Sequence, residues 1–274
     1  LNDVGDLTYP YQSLDGQTQT LNNILEGNHD VSKEIINSKK PIIIIGESLL
    51  RLKSSEFLFN KTKEFLSKNN KISDEWNSLN ILSTDAATVG NIDLGIINNE
   101  NNLISDLKEH KFDIVYLVGQ DNLEFDKKDE FIIYQGSHGD KGAESADIIL
   151  PGAAYTEQDG YFTNLEGKIQ KAYQASFPPG SAKEDWQIIN ELAELLKRKK
   201  IFNNKDELLD SMFNYLKINK KNKNQNELNF EFENENINVD QIDYYFSNVI
   251  ARSSKTMSEC HKIKMNIKKT GTNG

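Results

Sequence analysis

Short, unbroken apolar runs separated by polar segments of helix length are the main pattern in the first 150 residues. The clearest run is 42–46, four isoleucines followed by a glycine. Continuous β-branched residues without alternation are typical of a strand buried on both faces of a parallel sheet. Similar runs follow at 79–82, 114–119, 131–136 and 148–151. Together they predict an α/β fold with a doubly wound, mainly parallel sheet.

Apolar residues at helical spacing predict the helices that connect and follow these strands. The best-marked helix lies behind residues 181–184, where Ser181 and Glu184 have the spacing of a capping box. Acidic residues at its start and lysines at its end suit the helix dipole, and the helix is predicted to extend to about Arg198. Further helices are predicted near 21–25, 31–37, 57–66, 103–107 and 249–257.

Composition divides the chain near residue 200. Residues 1–200 are predicted to form the α/β domain, although 151–180 is long, non-periodic and glycine-bearing, as functional loops often are. Residues 201–274 are predicted to be a C-terminal extension. Within it, 217–238 is rich in Asn, Lys and Glu, which predicts a solvated, mobile linker, and the final residues predict a disordered tail.

Charge and cysteine content exclude several classes of protein. The net charge of −10 argues against a nucleic-acid or anionic-membrane partner, since both select basic surfaces. The single cysteine, Cys260, excludes a disulfide framework and any cluster or zinc site built from cysteines of this chain alone. The longest apolar run, 42–45, is far shorter than the roughly 20 residues that span a bilayer, so no membrane insertion is expected.

Candidate chemistry is concentrated between residues 131 and 170, where strands open into glycine-bearing loops. His138 and Asp140 could bind a metal or act as acid and base, or could fix the loop by hydrogen bonds. Glu157 and Glu166 could be paired carboxylates or could accept hydrogen bonds from turn N–H groups. The turn after the first strand, 46–48, is similar to a phosphate-binding turn but lacks the glycine and lysine pattern of nucleotide sites.

Two longer motifs carry a family resemblance. The stretches 146–157 (ADIILPGAAYTE) and 160–170 (GYFTNLEGKIQ) resemble the molybdopterin-oxidoreductase fold family. Within it, they are similar to the 75-kDa iron–sulfur subunit family of mitochondrial respiratory complex I (NADH:ubiquinone oxidoreductase). One departure is Lys168, where that family usually has arginine. Further matching stretches occur in the same order at 6–9, 134–140, 178–186 and 250–260.

The resemblance implies a C-terminal half-subunit whose sheet is incomplete without an N-terminal half. The iron–sulfur clusters would lie on that partner half, and this chain would carry no cofactor and no catalytic residues. It would be a non-catalytic structural part of the peripheral arm, on the matrix side of the mitochondrial inner membrane. Its partners would be the N-terminal half and other peripheral-arm subunits, including the flavin-bearing one. The loop would be a vestigial crevice held in shape by Gly136, His138, Asp140, Gly160, Asn164 and Glu166.

Two other functions remain open on the sequence. A fragment of a genuine molybdopterin oxidoreductase would need a Cys, selenocysteine or Ser metal ligand on its partner half. A free nucleotide-binding α/β module would be a soluble monomer that binds nucleotide.

Overall fold

The computed structural model describes residues 8–96, 103–123, 126–219, 231–238 and 243–266. Three expectations therefore lie wholly or partly outside the described residues. They concern the start of the predicted α/β domain (1–7), the centre of the Asn/Lys-rich tract (220–230) and the C-terminal tail (267–274).

All five predicted strands are present, and a hairpin follows them. The hairpin is antiparallel and lies inside the stretch 151–180 that showed no periodicity. The strands are β1 (Ile43–Gly46), β2 (Leu79–Leu82), β3 (Ile114–Val118), β4 (Phe131–Gly136), β5 (Ile148–Pro151), β6 (Gly160–Thr163) and β7 (Ile169–Ala172).

The helices match most of the periodic segments, but the helix predicted at 249–257 is broken at Ser254, and two helices were not predicted in full, near 205–219 and 255–266. They are α1 (Thr18–Leu25), α2 (Asp30–Asn37), α3 (Glu47–Leu50), α4 (Ser55–Lys68), α5 (Thr88–Asp93), α6 (Leu103–Lys108), α7 (Lys141–Ser145), α8 (Asp185–Leu195), α9 (Lys205–Asn219), α10 (Val249–Ser253) and α11 (Lys255–Asn266).

The strands form a mixed α/β structure with small parallel sheets. β1 pairs with β2, and β3, β4 and β5 pair in that order, with all these pairs parallel. The single sheet expected from the sequence is thus two sheets within the described residues. Apolar runs identify strands, but backbone hydrogen bonds between distant segments decide which strands pair, and those bonds leave no local pattern.

Each sheet has its own apolar cluster. The first contains Ile45 of β1 with residues of α1, α3 and α4, and the second contains Leu117, Ile132 and Tyr134. Burial of β1 on both faces, as the sequence predicted, is not observed, because Ile44 is 62% exposed. In the described part of the chain, no element covers that face of β1.

α8 begins at a different residue from the one predicted. Its N-cap is Glu184, which forms a capping box with Gln187, so Ser181 lies outside the helix. The Trp186 indole also donates to the Glu184 carboxylate at 2.8 Å. The helix ends at Leu195 rather than 198, and Lys197 has a left-handed φ of +57°. A residue in that conformation cannot continue a right-handed helix.

Residues 231–238, which we call the C-terminal strap, lie against α1 and α4. The Thr18 N–H donates to the Glu235 carbonyl at 2.9 Å, and the Ile237 N–H donates to the Gly16 carbonyl at 2.8 Å. Ile237 is buried in the first cluster, and Phe232 packs on Phe57 with ring centroids 5.2 Å apart. The C-terminal strap, which is part of 217–238, is therefore packed rather than solvated. The reason is that its two apolar side chains, Phe232 and Ile237, pack into the first cluster.

The strap also caps α4. The Glu235 carboxylate accepts from the backbone N–H groups of Ser54 at 3.0 Å and Lys53 at 3.3 Å. Helix N-termini leave N–H groups unpaired and favour negative charge. Glu235→Gln is expected to lower the free energy of unfolding by about 1 kcal/mol, measured by urea denaturation. Glu231→Gln, an exposed position on the same strap, is the control, and equal losses for both variants would contradict the capping role.

Candidate functional site

The carboxyl ends of β4 and β5 lie side by side and lead into the two glycine-bearing loops. Gly136 pairs with Pro151 in parallel register, and the Gly152 N–H donates to the Gly136 carbonyl at 2.9 Å. A Cβ on Gly152 would lie 3.5 Å from the Gly136 Cα, so the loops leave the sheet in close backbone contact. In open α/β sheets this edge is where ligands bind.

Tyr134 fills the space beside the first of these loops. Its side chain is 2% exposed, and its hydroxyl donates to the His138 carbonyl at 3.0 Å. A Cβ on Gly136 would lie 2.2 Å from that hydroxyl, and one on Gly142 would lie 3.0 Å from the ring. Burial raises the pKa of Tyr134 to about 12, and nearby carboxylates add to the rise. The phenol is therefore a neutral hydrogen-bond donor packed between two glycines.

A buried amide joins the sheet to α8. The Gln135 side chain is fully buried, and its Nε2 donates to Asp185 Oδ1 at 2.7 Å. Its Oε1 accepts from the Tyr116 hydroxyl at 2.5 Å, and Gln158 donates to Asp185 Oδ2 at 3.4 Å. Burial, followed by the charge of Asp185, raises the pKa of Tyr116. Sequence analysis did not predict this network. The signal for it was one polar residue, Gln135, directly after the apolar run 131–134.

Arg252 of α10 lies across the loops that follow β3 and β4. Its Nε donates to Asp140 Oδ2 at 2.7 Å, and its Nη2 lies 3.1 Å from Asp121 Oδ2. A third nitrogen, Nη1, donates to the Phe246 carbonyl at 3.3 Å. All three charged side chains are between 15% and 20% exposed. The C-terminal segment therefore covers this end of the sheet.

The structure places the sequence-predicted residues in two groups. Gly136 ends β4, and His138 and Asp140 lie in the loop that follows it. Asp140 caps α7 by accepting from the Lys141 N–H at 2.9 Å, and the His138 Nδ1 lies 2.9 Å from the Ser137 hydroxyl. These are local contacts that fix a loop. The assignment of the loop to a vestigial site stays a prediction.

The second group lies on the β6–β7 hairpin, which packs against α5. Gly160 begins β6, and the Asn164 side chain accepts from the backbone N–H groups of Glu166 and Lys168, both at 3.0 Å. Gly167 has a φ of +77°, which the turn requires. Among the described contacts, none joins this hairpin group to His138 or Asp140.

The two candidate carboxylates have separate surroundings. The Glu157 carboxylate accepts from the Ala154 N–H at 2.9 Å, which is a turn contact. The Glu166 carboxylate lies within the hairpin turn, where the Asn164 amide donates to it at 3.4 Å. Among the described residues, no group of three or more His, Cys, Asp or Glu side chains has the arrangement of a metal site. No helix in that same part of the chain is long and apolar enough to cross a membrane.

Glu130, just before β4, forms an acid-sensitive contact at the opposite end of this sheet. Hydrogen bonds from the Lys128 and Glu130 backbone N–H groups and from His110 lower the pKa of Glu130 to about 2, from an ordinary 4.5. A carboxyl group with a lowered pKa stabilises the fold above its ordinary pKa, and this stabilisation is lost as the pH falls towards 2.

The Glu130→Gln variant is therefore expected to lose less free energy of unfolding than wild type as the pH falls from 5 to 2. The measurement is the urea midpoint of wild type and variant at each pH across that window. Asp129→Asn, at the exposed neighbouring position, is the control and should follow the wild-type curve. A Glu130→Gln curve parallel to wild type would rule out Glu130 as the titrating group.

Comparisons with known proteins agree over nearly the whole chain. A family model described as "Molybdopterin oxidoreductase" matches residues 1–195, and a model of the C-terminal region of the G-type subunit of NADH-ubiquinone oxidoreductase matches residues 217–260. The NADH-ubiquinone oxidoreductase 75 kDa subunit of Reclinomonas americana is 37% identical over 273 residues, or 95% of this chain. The G-type subunit of the NADH-quinone oxidoreductase of Rickettsia bellii is 35% identical over 96% of the chain.

A third relative shows how the lengths compare. The mitochondrial NADH-ubiquinone oxidoreductase 78 kDa subunit of Candida albicans is 36% identical over 92% of this chain, but the match covers only 37% of that protein. For the Reclinomonas and Rickettsia relatives the matched share is 39%. The chain thus spans about two fifths of the length of the curated relatives it matches.

Proposed function

The chain belongs to the molybdopterin oxidoreductase family and is a homologue of the 75-kDa (G-type) subunits of NADH-ubiquinone oxidoreductase; from this we propose that it is a structural part of respiratory complex I. In this role it forms part of the peripheral arm on the matrix side of the mitochondrial inner membrane. It supports electron transfer from NADH to ubiquinone without carrying a redox centre. Similarity over 95% of the chain, combined with a single cysteine, is the observation that carries the proposal.

The cysteine content bears on where the iron–sulfur clusters of the assembly lie. Each cluster takes four protein ligands, which are mainly cysteine thiolates. This chain has one cysteine, Cys260, and it lies on α11. We therefore propose that the clusters of the assembly are held by the N-terminal half of the subunit, outside this sequence.

The residues at the carboxyl ends of β3 to β5 do not fit a pterin cofactor. The Tyr134 ring lies against Gly136 and Gly142, where a Cβ would already be too close. Arg252 lies over the adjoining loops and is paired with two carboxylates. A polar dianionic cofactor placed at these strand ends would meet those carboxylates. This packing supports a crevice without a cofactor.

The faces of the two parallel sheets support the proposed partner. β1 pairs only with β2, and β3 pairs only with β4, among the described strands. Apolar side chains on β1 and β3, including Ile44 and Ile114, are more than half exposed. Parallel sheets are normally covered on both faces, and open edges favour pairing with another chain. We therefore place the N-terminal half against these strands, where it would complete one doubly wound sheet, with other peripheral-arm subunits, including the flavin-bearing one, as neighbours.

The test is purification of the native assembly through a tag on this chain. We expect a cysteine-rich partner polypeptide and iron in stoichiometric amounts, with NADH:ubiquinone activity in the preparation. Molybdenum or tungsten at one atom per chain, together with extracted pterin, would show that the crevice holds a working cofactor and would overturn the structural role.

A surface substitution tests the proposed interface. Ile44→Lys is expected to reduce recovery of the partner polypeptide at least about tenfold, since it places a charge in an apolar contact. Ile263→Lys on α11 is the matched control, because Ile44 and Ile263 are 62% and 61% exposed. The same chain expressed without its partner is expected to be poorly soluble. A soluble monomer that binds nucleotide in calorimetry would favour the nucleotide-binding module instead.

A further inference from the structure

Residues 243–266 form a small unit of their own at the end of the described chain. The His261 ring stacks on Phe246 with centroids 4.2 Å apart, and its Nδ1 lies 2.5 Å from an Asp243 oxygen. α10 and α11 contact each other directly. The Lys264 ammonium lies over the Tyr244 and Tyr245 rings, 5.7 Å from each centroid. These contacts all lie within the segment, and none of them involves a residue of the sheet.

Arg252 joins this unit to the sheet. Asp121 follows β3 and Asp140 follows β4, so the two carboxylates that receive the guanidinium come from different loops of one sheet edge. Two carboxylates brought together repel each other unless a cation lies between them. The planar guanidinium fork can serve both at once, and a lysine ammonium cannot match this geometry.

We propose that residues 243–266 are a latch that closes the crevice at the carboxyl ends of β3 and β4, with the Arg252 guanidinium bound in a site made by Asp121 and Asp140. The third donor, Nη1, bonds the Phe246 carbonyl and so ties the guanidinium back to its own unit. Closing the latch orders the loop from Gly136 to Ser145, because Asp140 is both a ligand of Arg252 and the N-cap of α7. Releasing it frees the crevice and its carboxylate pair together.

The latch concerns contacts within this chain, so its test does not depend on the proposed partner. Hydrogen exchange followed by mass spectrometry is applied to the full chain at submicromolar concentration. Arg252→Ala is expected to increase exchange at least about tenfold in two places only, 136–146 and 243–266, since removing one member of a part-buried ion group leaves uncompensated charge. Ethylguanidinium at millimolar concentration replaces the missing part of the side chain and should restore protection of 136–146.

Three further variants make the outcome decisive. Arg252→Lys keeps the charge without the fork and should raise exchange in the same two segments. Arg198→Ala, an exposed arginine just beyond α8, should change neither. In a variant with Arg252→Ala, Asp121→Asn and Asp140→Asn together, ethylguanidinium should have no effect, because the receiving carboxylates are gone.

Several results would overturn the latch. Unchanged exchange in 243–266 for Arg252→Ala would mean that the guanidinium does not hold the segment. An equal increase across the whole chain for both Arg252→Ala and Arg252→Lys, including α4 and the C-terminal strap, would make Arg252 part of global stability. Rescue that persists in the triple variant would show that ethylguanidinium acts elsewhere.

Discussion

Replacing Gly136 by Ala is expected to lower the free energy of unfolding by about 1–3 kcal/mol, whereas Gly139→Ala should leave it unchanged or slightly raised. A Cβ at Gly136 would lie 2.2 Å from the Tyr134 hydroxyl oxygen and 2.4 Å from its ring carbon Cζ. A Cβ at Gly139 would meet nothing within 4 Å, and its φ suits any residue. The two glycines are three residues apart in the same loop, so they form a matched pair.

The expected loss of stability in Gly136→Ala is large because the buried Tyr134 side chain has no free space to move into. The ring is almost fully buried, and a Cβ on Gly142 would also be 3.0 Å from it, so a displaced ring would meet the start of α7. Displacement also breaks the hydrogen bond to the His138 carbonyl. Urea denaturation followed by circular dichroism measures both variants. Similar losses for Gly136→Ala and Gly139→Ala would mean that the loop relaxes freely and that the packing is not tight.

Gln135→Met is expected to cost more, about 2–4 kcal/mol. Methionine has a similar size but no amide, so the Tyr116 hydroxyl and the Asp185 Oδ1 each lose a hydrogen-bond partner beside the buried Gln135 position, and Asp185 keeps the longer bond from Gln158. Leaving one buried polar group unpaired costs about 1–3 kcal/mol, and a charged group costs more. Because Asp185 is the first residue of α8, the loss should also loosen the start of that helix.

The control for this change is Gln120→Met, an exposed glutamine just after β3 at the same end of the sheet. It should shift the urea midpoint little. The melting temperature offers a second measure, since 1 kcal/mol moves it by roughly 2–4 °C in a domain of this size class. A Gln135→Met variant as stable as Gln120→Met would show that water or a rearranged side chain satisfies Asp185, and the network would then not join α8 to the sheet.

The sequence was sufficient to predict the strands but not their pairing. Runs such as 79–82 and 148–151 coincide with β2 and β5, because a short apolar run bounded by turn residues favours a strand in an α/β chain. The β6–β7 hairpin was missed, since its strands have only four residues each and little alternation. The division into two sheets depends on contacts between distant segments, and the proposed boundary at residue 200 stays a prediction.

In the candidate site, too, the sequence identified residues with local contacts but not the contacts between distant segments. Asp140 and Asn164 were identified from their glycine-rich surroundings, and both make the local hydrogen bonds that such residues favour in loops. The contact from Arg252 to Asp140 spans 112 residues, and nothing near either position signals it. Tyr134 and Gln135 looked like strand residues alone, and their roles depend on the helices that pack over them.

The C-terminal strap has a consequence for biosynthesis. Its bond from the Glu233 N–H to the Ser54 hydroxyl spans 179 residues, and Ile237 belongs to the cluster around α1 and α4. At about 5–20 residues per second, the ribosome delivers the strap roughly 10–35 s after α4 has emerged. For that interval the groove on α1 and α4 exposes apolar side chains, among them Phe57, which Phe232 later covers. The cluster around α1 and α4 is thus translated early but completed only when the strap emerges.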